Sequence, residues 1–355
     1  MELRCVFQQS APTSWQISVT LAVLLSLRFL WVGIYRIFFH PLARYPGPIV
    51  TKLSNIPMTI WNAQSQSTYA RYKMHQKYGR IVRTGPNELC FSDTPSIKDI
   101  YGQSTEPCLK APFFYDGFTL TGRHSVFSET NRASHSRMRR LLSHGFSQQG
   151  TMQSQEDIIK LITKFLDLIS LSSNQVNIHD HVHHLFLDTT SHLSFGKSFD
   201  LLSGIEHHGA RDIETYFSIS PLFGVFPVAK YIPVGVFRAA REARPRIVAS
   251  VQVYINEFRD RLRLGTAQHG LLRQMVEASD GESGTAFSDE ELIENAVLFI
   301  IAGSGTTATT LLYFIYEVGK RPEIKACLER EIRDAFPAKG LFPSFNTAND
   351  LRYCD

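Results

Sequence analysis

SDEELIENAVLFIIAGSGTTATTLLYFIYEVGKRP, residues 288–322, is the stretch whose reading decides the fold of this 355-residue chain. Ser288 followed by Glu291 is a capping-box pattern, and Asp289, Glu290 and Glu291 put three carboxylates at the positive end of a helix. Pro322 forces the other end. At 1.5 Å per residue the helix between them is about 48 Å long, enough to cross a whole domain. Its polar ends and its Gly and Thr residues argue against a membrane span. The centre, Ala302-Gly303-Ser304-Gly305-Thr306-Thr307, combines small residues with hydroxyls. Small residues let a flat group approach the helix backbone, and a Thr hydroxyl can bond back to a carbonyl, open the helix locally and hold water. Close packing of two helices across the small residues explains the same letters.

The other long apolar run is WQISVTLAVLLSLRFLWVGIYRIFF, residues 15–39. About 20 such residues cross a bilayer core, so the run reads as one transmembrane helix in which Arg28 reaches for a headgroup layer. Large residues such as Tyr35 and Phe38 follow it where a cleaved signal peptide needs small ones. Arg36, Arg44 and Lys52 follow the span and only Arg4 precedes it, which predicts a cytosolic location for the residues beyond. HPLARYPGP then stiffens a turn with Pro41, Pro46 and Pro48.

Helical spacing recurs over residues 65–78, 132–146, 153–171, 180–195 and 237–264, and RIVRTG and ELCFSD around Pro86 and Asn87 read as a hairpin. A short helix is expected at 94–101, followed by an irregular, aromatic stretch to about residue 130. The segment 216–237 carries three prolines and many aromatics, which predicts an interrupted element: a greasy entrance, a bilayer contact or ordinary core. The composition, 43% hydrophobic and 12% aromatic, suits a large buried core. A net charge of +4 from 37 basic and 33 acidic residues gives no ground for nucleic-acid binding. Cys5, Cys90, Cys108, Cys327 and Cys354 show no CxxC pairing and suit a reducing compartment. No G-x-S-x-G elbow or phosphate-binding glycine loop occurs. His179 and His183 share a helix face as a candidate metal pair, but no third ligand stands at motif spacing, so no metal site is expected there.

Taken in order, the apolar anchor, HPLARYPGP, YGRIVRTGPNELCFSD, HSRMRRLLSHGFS, LSFGKSFD, AGSGTT and RPEIKACLEREIRDAF resemble the membrane-bound cytochrome P-450 family, particularly its fungal members. The resemblance covers nearly the whole chain. It implies a mainly α fold with a small β-sheet, an incomplete cytochrome P-450 fold behind one N-terminal transmembrane helix. The implied organisation is a luminal tail at 1–14, an anchor at 15–39, a proline-rich hinge at 40–50 and a partial cytochrome P-450 domain at 51–355, held at the endoplasmic reticulum membrane.

The resemblance also assigns residues. His135 and Arg139 match the positions that face a haem propionate, and as i and i+4 they share a helix face. The competing reading is a solvated basic face together with Arg137 and Arg140. Ala302 and Gly303 would border the oxygen pocket, and Thr306 would hold the water or oxygen species that receives protons. The implied reaction is NADPH- and O2-dependent oxidation of an apolar small molecule, with electrons from NADPH-cytochrome P-450 reductase, in secondary metabolism.

Two departures stand out. Gly305 occupies the place before the Thr pair where the family usually has an acid, and glycine cannot relay a proton. None of the five cysteines lies in a Phe-x-x-Gly-x-Arg-x-Cys-x-Gly setting, and no Glu-x-x-Arg helix follows the connector FPSFNTANDLRYCD. Thiolate donation favours O–O cleavage in such enzymes, so the expectation is a chain that does not retain haem and is inactive as it stands. The alternative is a non-enzymatic remnant with at most an interaction role. Exposed apolar faces around Leu298, Ile301 and Leu311 are expected to accompany either outcome.

Overall fold

The structure, a computed structural model, describes residues 14–102, 108–143, 145–146, 152, 154–171, 175–225, 227–266, 270–281, 284–336 and 351. The chain divides into two compact units, Met1–Cys108 and Leu109–Asp355. Most of the expected luminal tail, most of the connector after Phe336, and both Cys5 and Cys354 lie outside the described residues.

In the first unit, helix α1 (Ser14–Ile34) runs on through one π-helical turn, Tyr35–Phe39. Together they are long and apolar enough to cross a membrane, and none of that surface is buried. The chain continues through short helices α2 (Ile49–Leu53) and α3 (Ile56–Ala63) and then α4 (Ser67–Tyr78). Gly79 closes α4 at a φ of +95°, a region an L side chain rarely enters. The expected hairpin is present as strands β1 (Ile81–Gly85) and β2 (Glu88–Phe91), antiparallel with Val82 opposite Cys90. Helix α5 (Thr94–Tyr101) follows.

Arg83 ties the hinge to this hairpin. Its fully buried side chain donates to the carbonyls of Arg36 (2.7 Å) and Pro86 (2.7 and 3.2 Å), and its backbone N–H donates to Pro46 O at 2.8 Å. The hinge passes so close that a Cβ on Gly47 would stand 2.5 Å from the Arg83 carbonyl oxygen. A glycine between the prolines is what lets the two backbones touch.

Every regular element among the described residues of the second unit is a helix. The aromatic stretch expected to be irregular holds a short helix, α6 (Pro112–Tyr115), and a 3-10 turn, Asp116–Phe118. Next come α7 (Arg132–Ser143), α8 (Gln155–Leu171) and α9 (Ile178–Phe195). Then α10 (His208–Val225) and α11 (Gly235–Arg263) pack side by side. The segment 216–237 is interrupted as its prolines predict: α10 carries Pro221 and ends at Val225, and a 3-10 turn, Pro227–Tyr231, precedes α11. Its inner aromatics, Tyr216 and Phe223, are core, while Val228, Tyr231, Val234 and Val236 are exposed. The unit closes with α12 (Leu271–Glu277), α13 (Asp289–Gly319) and α14 (Pro322–Ala335).

α13 is the expected long helix, and both halves of its capping box form: Glu291 N–H donates to Ser288 Oγ and Ser288 N–H to the Glu291 carboxylate. Its length and composition alone also fit a membrane span. Instead α9 and α11 pack against it, and Leu292, Ile293, Ala296, Val297 and Ile300 enter the main core with Ile247, Val251 and Ile255 of α11. A smaller cluster joins Phe165, Val182, Leu185 and Ala308.

The expected exposed apolar positions need correction. Leu298, Ile301 and Leu311 are half-buried, because Ile301 packs on the main core and Leu311 on the smaller cluster. The large apolar residues that α13 exposes are Tyr313, Phe314, Ile315 and Tyr316, one turn further on.

Candidate functional site

The motif at the centre of α13 divides between two faces. Gly303 meets α9, where an added Cβ would stand 2.6 Å from Thr190 Cγ2. Ser304 is buried and returns its hydroxyl to Ile300 O at 2.7 Å. Helix packing therefore accounts for the small residue at 303. Ala302 and Thr306, four residues apart, share an exposed face. Thr306 Oγ1 donates to Ala302 O at 2.5 Å, and Thr310 Oγ1 donates to Thr306 O at 2.9 Å. The sequence suggested that this back-bonding opens the helix, but α13 is an uninterrupted α-helix through the motif. With its own proton engaged, the Thr306 oxygen presents lone pairs outward and can accept from water or a polar ligand. Beside it, an added Cβ on Gly305 would meet nothing within 4 Å.

The basic helix α7 is also divided. Arg137 pairs with Glu291 of α13 and donates to Ala286 O, and Arg140 grips the fully buried Asp280 carboxylate with Nε–Oδ1 2.8 Å and Nη2–Oδ2 3.1 Å. These two arginines are structural, so the solvated-face reading fails for them: their carboxylate partners come from segments distant in sequence. Arg139 is exposed and, among the described residues, has no hydrogen-bond or ion-pair partner. His135 is half-buried, and burial first, then Lys110 and Arg139, hold its imidazole below the ordinary histidine value. A neutral imidazole and a free guanidinium on one face suit a carboxylate that needs one charge and an additional hydrogen bond.

Among the described residues no hydrogen bond or ion pair joins His135 or Arg139 to Ala302, Gly303 or Thr306. The described contact between α7 and α13, Arg137 with Glu291, lies about 22 Å along the helix from Thr306 at 1.5 Å per residue. With Arg137 and Arg140 claimed by carboxylates, Arg139 is left beside His135 on α7, while Ala302 and Thr306 lie open on α13. Cys90 is half-buried with Sγ 3.3 Å from His75 Nε2, and Cys108 and Cys327 are exposed thiols.

Sequence reasoning missed the polar residues that position this helix. Glu294 is buried, and its Oε1 accepts from Leu120 N–H (2.7 Å), Thr121 N–H (2.5 Å) and the Thr121 hydroxyl (2.8 Å). Asn295 Oδ1 accepts Val126 N–H at 2.9 Å. Burial pushes the Glu294 carboxyl up to about 7, against the pull of those hydrogen bonds. The signal was legible as Glu-Asn inside an apolar run, where buried polar groups need partners. Buried Asp188 acts similarly in α9: its two oxygens accept Leu201 and Leu202 N–H at 3.0 and 2.9 Å, fixing the turn after LSFGKSFD.

His179 and His183 do share a face, with ring centroids 4.5 Å apart. Among the described residues, however, no group of three His, Cys, Asp or Glu side chains converges to hold a metal ion.

A family model described as cytochrome P-450 matches residues 44–355. Cytochrome P-450 monooxygenase ABA2 of Pyricularia oryzae is 32% identical over 84% of this chain and 60% of its own length. Cytochrome P-450 monooxygenase ORF11 of Penicillium roqueforti is 30% identical over 90% of this chain and 68% of its own. Trichothecene C-15 hydroxylase of Fusarium sporotrichioides is 28% identical over 86% and 63%. The crystal structure of the cytochrome P-450DA haem domain shares the fold at a TM-score of 0.58 and 23% identity, covering 69% of this chain and 53% of that one. The chain thus spans roughly three fifths of the length of these curated relatives. With the apolar N-terminal helix, hairpin, basic helix and long central helix found in the expected order, the match over residues 44–355 establishes that this chain belongs to the cytochrome P-450 family.

Proposed function

We propose that the chain contributes the oxygen-binding face of a haem-thiolate monooxygenase acting on an apolar small molecule of secondary metabolism. The reaction class is RH + O2 + NADPH + H+ giving ROH, water and NADP+, with electrons delivered by NADPH-cytochrome P-450 reductase. The observation that carries this reading is the open Ala302/Thr306 face of α13 within a chain matched to the family from residue 44. Fungal relatives named for hydroxylation and monooxygenation support the substrate class.

Haem, when bound through a cysteine thiolate, supplies the oxygen-activating chemistry. In this reading Arg139 and His135 hold its carboxylates, and Ala302 leaves room for a flat face. The Thr306 oxygen orders a water through its outward lone pairs, while its own O–H stays donated to the Ala302 carbonyl oxygen. Gly305 offers no proton, so delivery at Thr306 relies on solvent reaching the exposed face.

No cysteine of the 355 residues stands in the family's thiolate setting, and we propose that these residues alone do not retain thiolate-ligated haem. The N-terminal apolar helix is read as a single-pass anchor in the endoplasmic reticulum membrane with the rest of the chain cytosolic, supported by the Arg and Lys residues after it. A reduced, carbon monoxide difference spectrum of the purified 355-residue chain tests haem retention. The expected trace lacks the thiolate band, and a stoichiometric thiolate band would overturn the inactive reading. Protease protection of microsomes tests topology: the expected result is digestion of everything beyond residue 50, and full protection would overturn it.

A further inference from the structure

A cavity of about 440 Å3 lies between the first turns of α9, the chain after Leu201 and the first turns of α10. None of its lining residues belongs to α13. Five of them are histidines: His179, His183, His184, His207 and His208.

These imidazoles are not equivalent. His207 has both ring nitrogens occupied, Nε2 at 3.0 Å from the Tyr254 hydroxyl and Nδ1 accepting Ala210 N–H at 3.3 Å, and its ring stacks on Phe199 with centroids 4.1 Å apart. His207 therefore serves the packing. His179 and His183 are the one pair of histidines in the sequence at i and i+4, which puts them on one helix face. Their ring centroids are 4.5 Å apart and their planes meet at 42°. Among the described residues His183 has no hydrogen-bond partner at either nitrogen.

His179 is held from behind. Its Nδ1 is 2.9 Å from Asp180 Oδ1, and Asn177 Nδ2 donates to Asp180 Oδ2 at 2.8 Å. With Nδ1–H donated to the carboxylate, the neutral ring offers the Nε2 lone pair outward. Asn177 also caps α9 by accepting His179 N–H at 3.2 Å, so the turn that carries the ring is fixed. A carboxylate behind an imidazole is the usual partner that orients a metal-binding histidine. Both Asp180 oxygens are engaged in this way, so Asp180 orients a ligand and is not a third one.

The charge around the pair favours a cation. Asp180, Glu206 and Glu214 line the cavity against one guanidinium, Arg211. These carboxylates offset the positive end of α9, which by itself disfavours a metal ion. With the rings 4.5 Å apart, side-chain rotation is enough to bring one nitrogen of each to about 2.0–2.1 Å from a shared ion. Two imidazole nitrogens with water oxygens completing the sphere suit late first-row ions that accept tetragonal geometry. Without further protein ligands the site stays open and exchangeable.

We propose that His179 and His183 form a two-histidine site for a divalent late first-row ion, Ni2+ or Cu2+, with Asp180 orienting His179 and water in the remaining positions. The site shares no residue with the Ala302/Thr306 face and does not depend on haem or on turnover.

The test is titration calorimetry of the untagged full chain in nanodiscs with Ni2+, which does not oxidise the chain's thiols, and with empty nanodiscs as the blank. The expected result is one saturable site per chain. H179Q and H183Q should each weaken it at least about tenfold, while H181Q, outside the pair, should leave it unchanged. D180N should weaken it about tenfold and leave thermal unfolding without metal as in the parent. Ni2+ should raise the melting temperature of the parent and not that of H183Q. Circular dichroism confirms that each variant is folded. No saturable uptake, uptake unchanged in folded H179Q or H183Q, or a loss in H181Q equal to theirs would overturn the proposal.

Discussion

Gly303 presses against Thr190 at the crossing of α13 and α9, and its missing side chain is what lets the two helices meet. Thr190 cannot turn aside easily, being β-branched with its hydroxyl bonded to Phe186 O at 2.7 Å. Gly303→Ala is therefore expected to destabilise the second unit by about 1–3 kcal/mol, the usual cost of overpacking. Thr190→Ser removes the clashing methyl and should restore most of the loss. Two residues on, Gly305 has open space, so Gly305→Ala should stabilise by roughly 0.5–1 kcal/mol through helix propensity. Thermal unfolding of Gly303→Ala, of Gly303→Ala with Thr190→Ser, and of Gly305→Ala checks the pattern, and equal effects at 303 and 305 would contradict it.

Glu294 links stability to pH. Its carboxyl titrates near 7 in the folded chain against an ordinary 4.5, so between these values the folded state holds more protons than the unfolded one. Stability is then greatest below about 4.5, declines as pH rises through 7, and the full loss is roughly 3 kcal/mol. Glu294→Gln keeps an acceptor for Leu120 and Thr121 but cannot ionise. The difference in melting temperature between variant and parent should grow from pH 5 to pH 8 in the variant's favour; a constant difference would refute this linkage.

The Asp280 carboxylate is fully buried and answered by Arg140 through two hydrogen bonds. Removing one member of such a pair leaves a buried charge or an empty polar site. Asp280→Ala should cost roughly 3 kcal/mol in urea denaturation. Arg139→Ala, one residue away on the exposed side, should be within about 0.5 kcal/mol of the parent.

In the first unit, Gly47→Ala places a methyl 2.5 Å from the Arg83 carbonyl oxygen, and a backbone atom cannot rotate away. The hinge has to shift, loosening the Arg83 N–H bond to Pro46 O. Faster tryptic cleavage at Arg44 and faster hydrogen exchange at Arg83 are expected, and unchanged rates at both would count against this account of the glycine.

Local chemistry was readable in the order of the letters. The capping box at Ser288 and Glu291, the stop at Gly79, the hairpin around Pro86 and Asn87, and the break in 216–237 each depend on residues within a few positions of one another, and each is present. The helices at 208–225 and 271–277 were not anticipated, because their sequences lack strong caps and their apolar faces are set by α11, α9 and α13. The basic helix shows the same division within four residues: periodicity places His135 and Arg139 on one face, but nothing nearby in sequence announces that Glu291 and Asp280 claim Arg137 and Arg140.

The sequence by itself determined the family, the apolar N-terminal helix, the small hairpin and the long helix with Ala302 and Thr306 four residues apart. These follow from composition, caps and spacing, which are local properties of a chain. Only the tertiary structure decided that Gly303 serves a helix crossing and that Glu294 holds the loop at Leu120 and Thr121. Those roles depend on which groups meet across more than 100 residues of chain, and burial then sets the cost of leaving any of them unpaired.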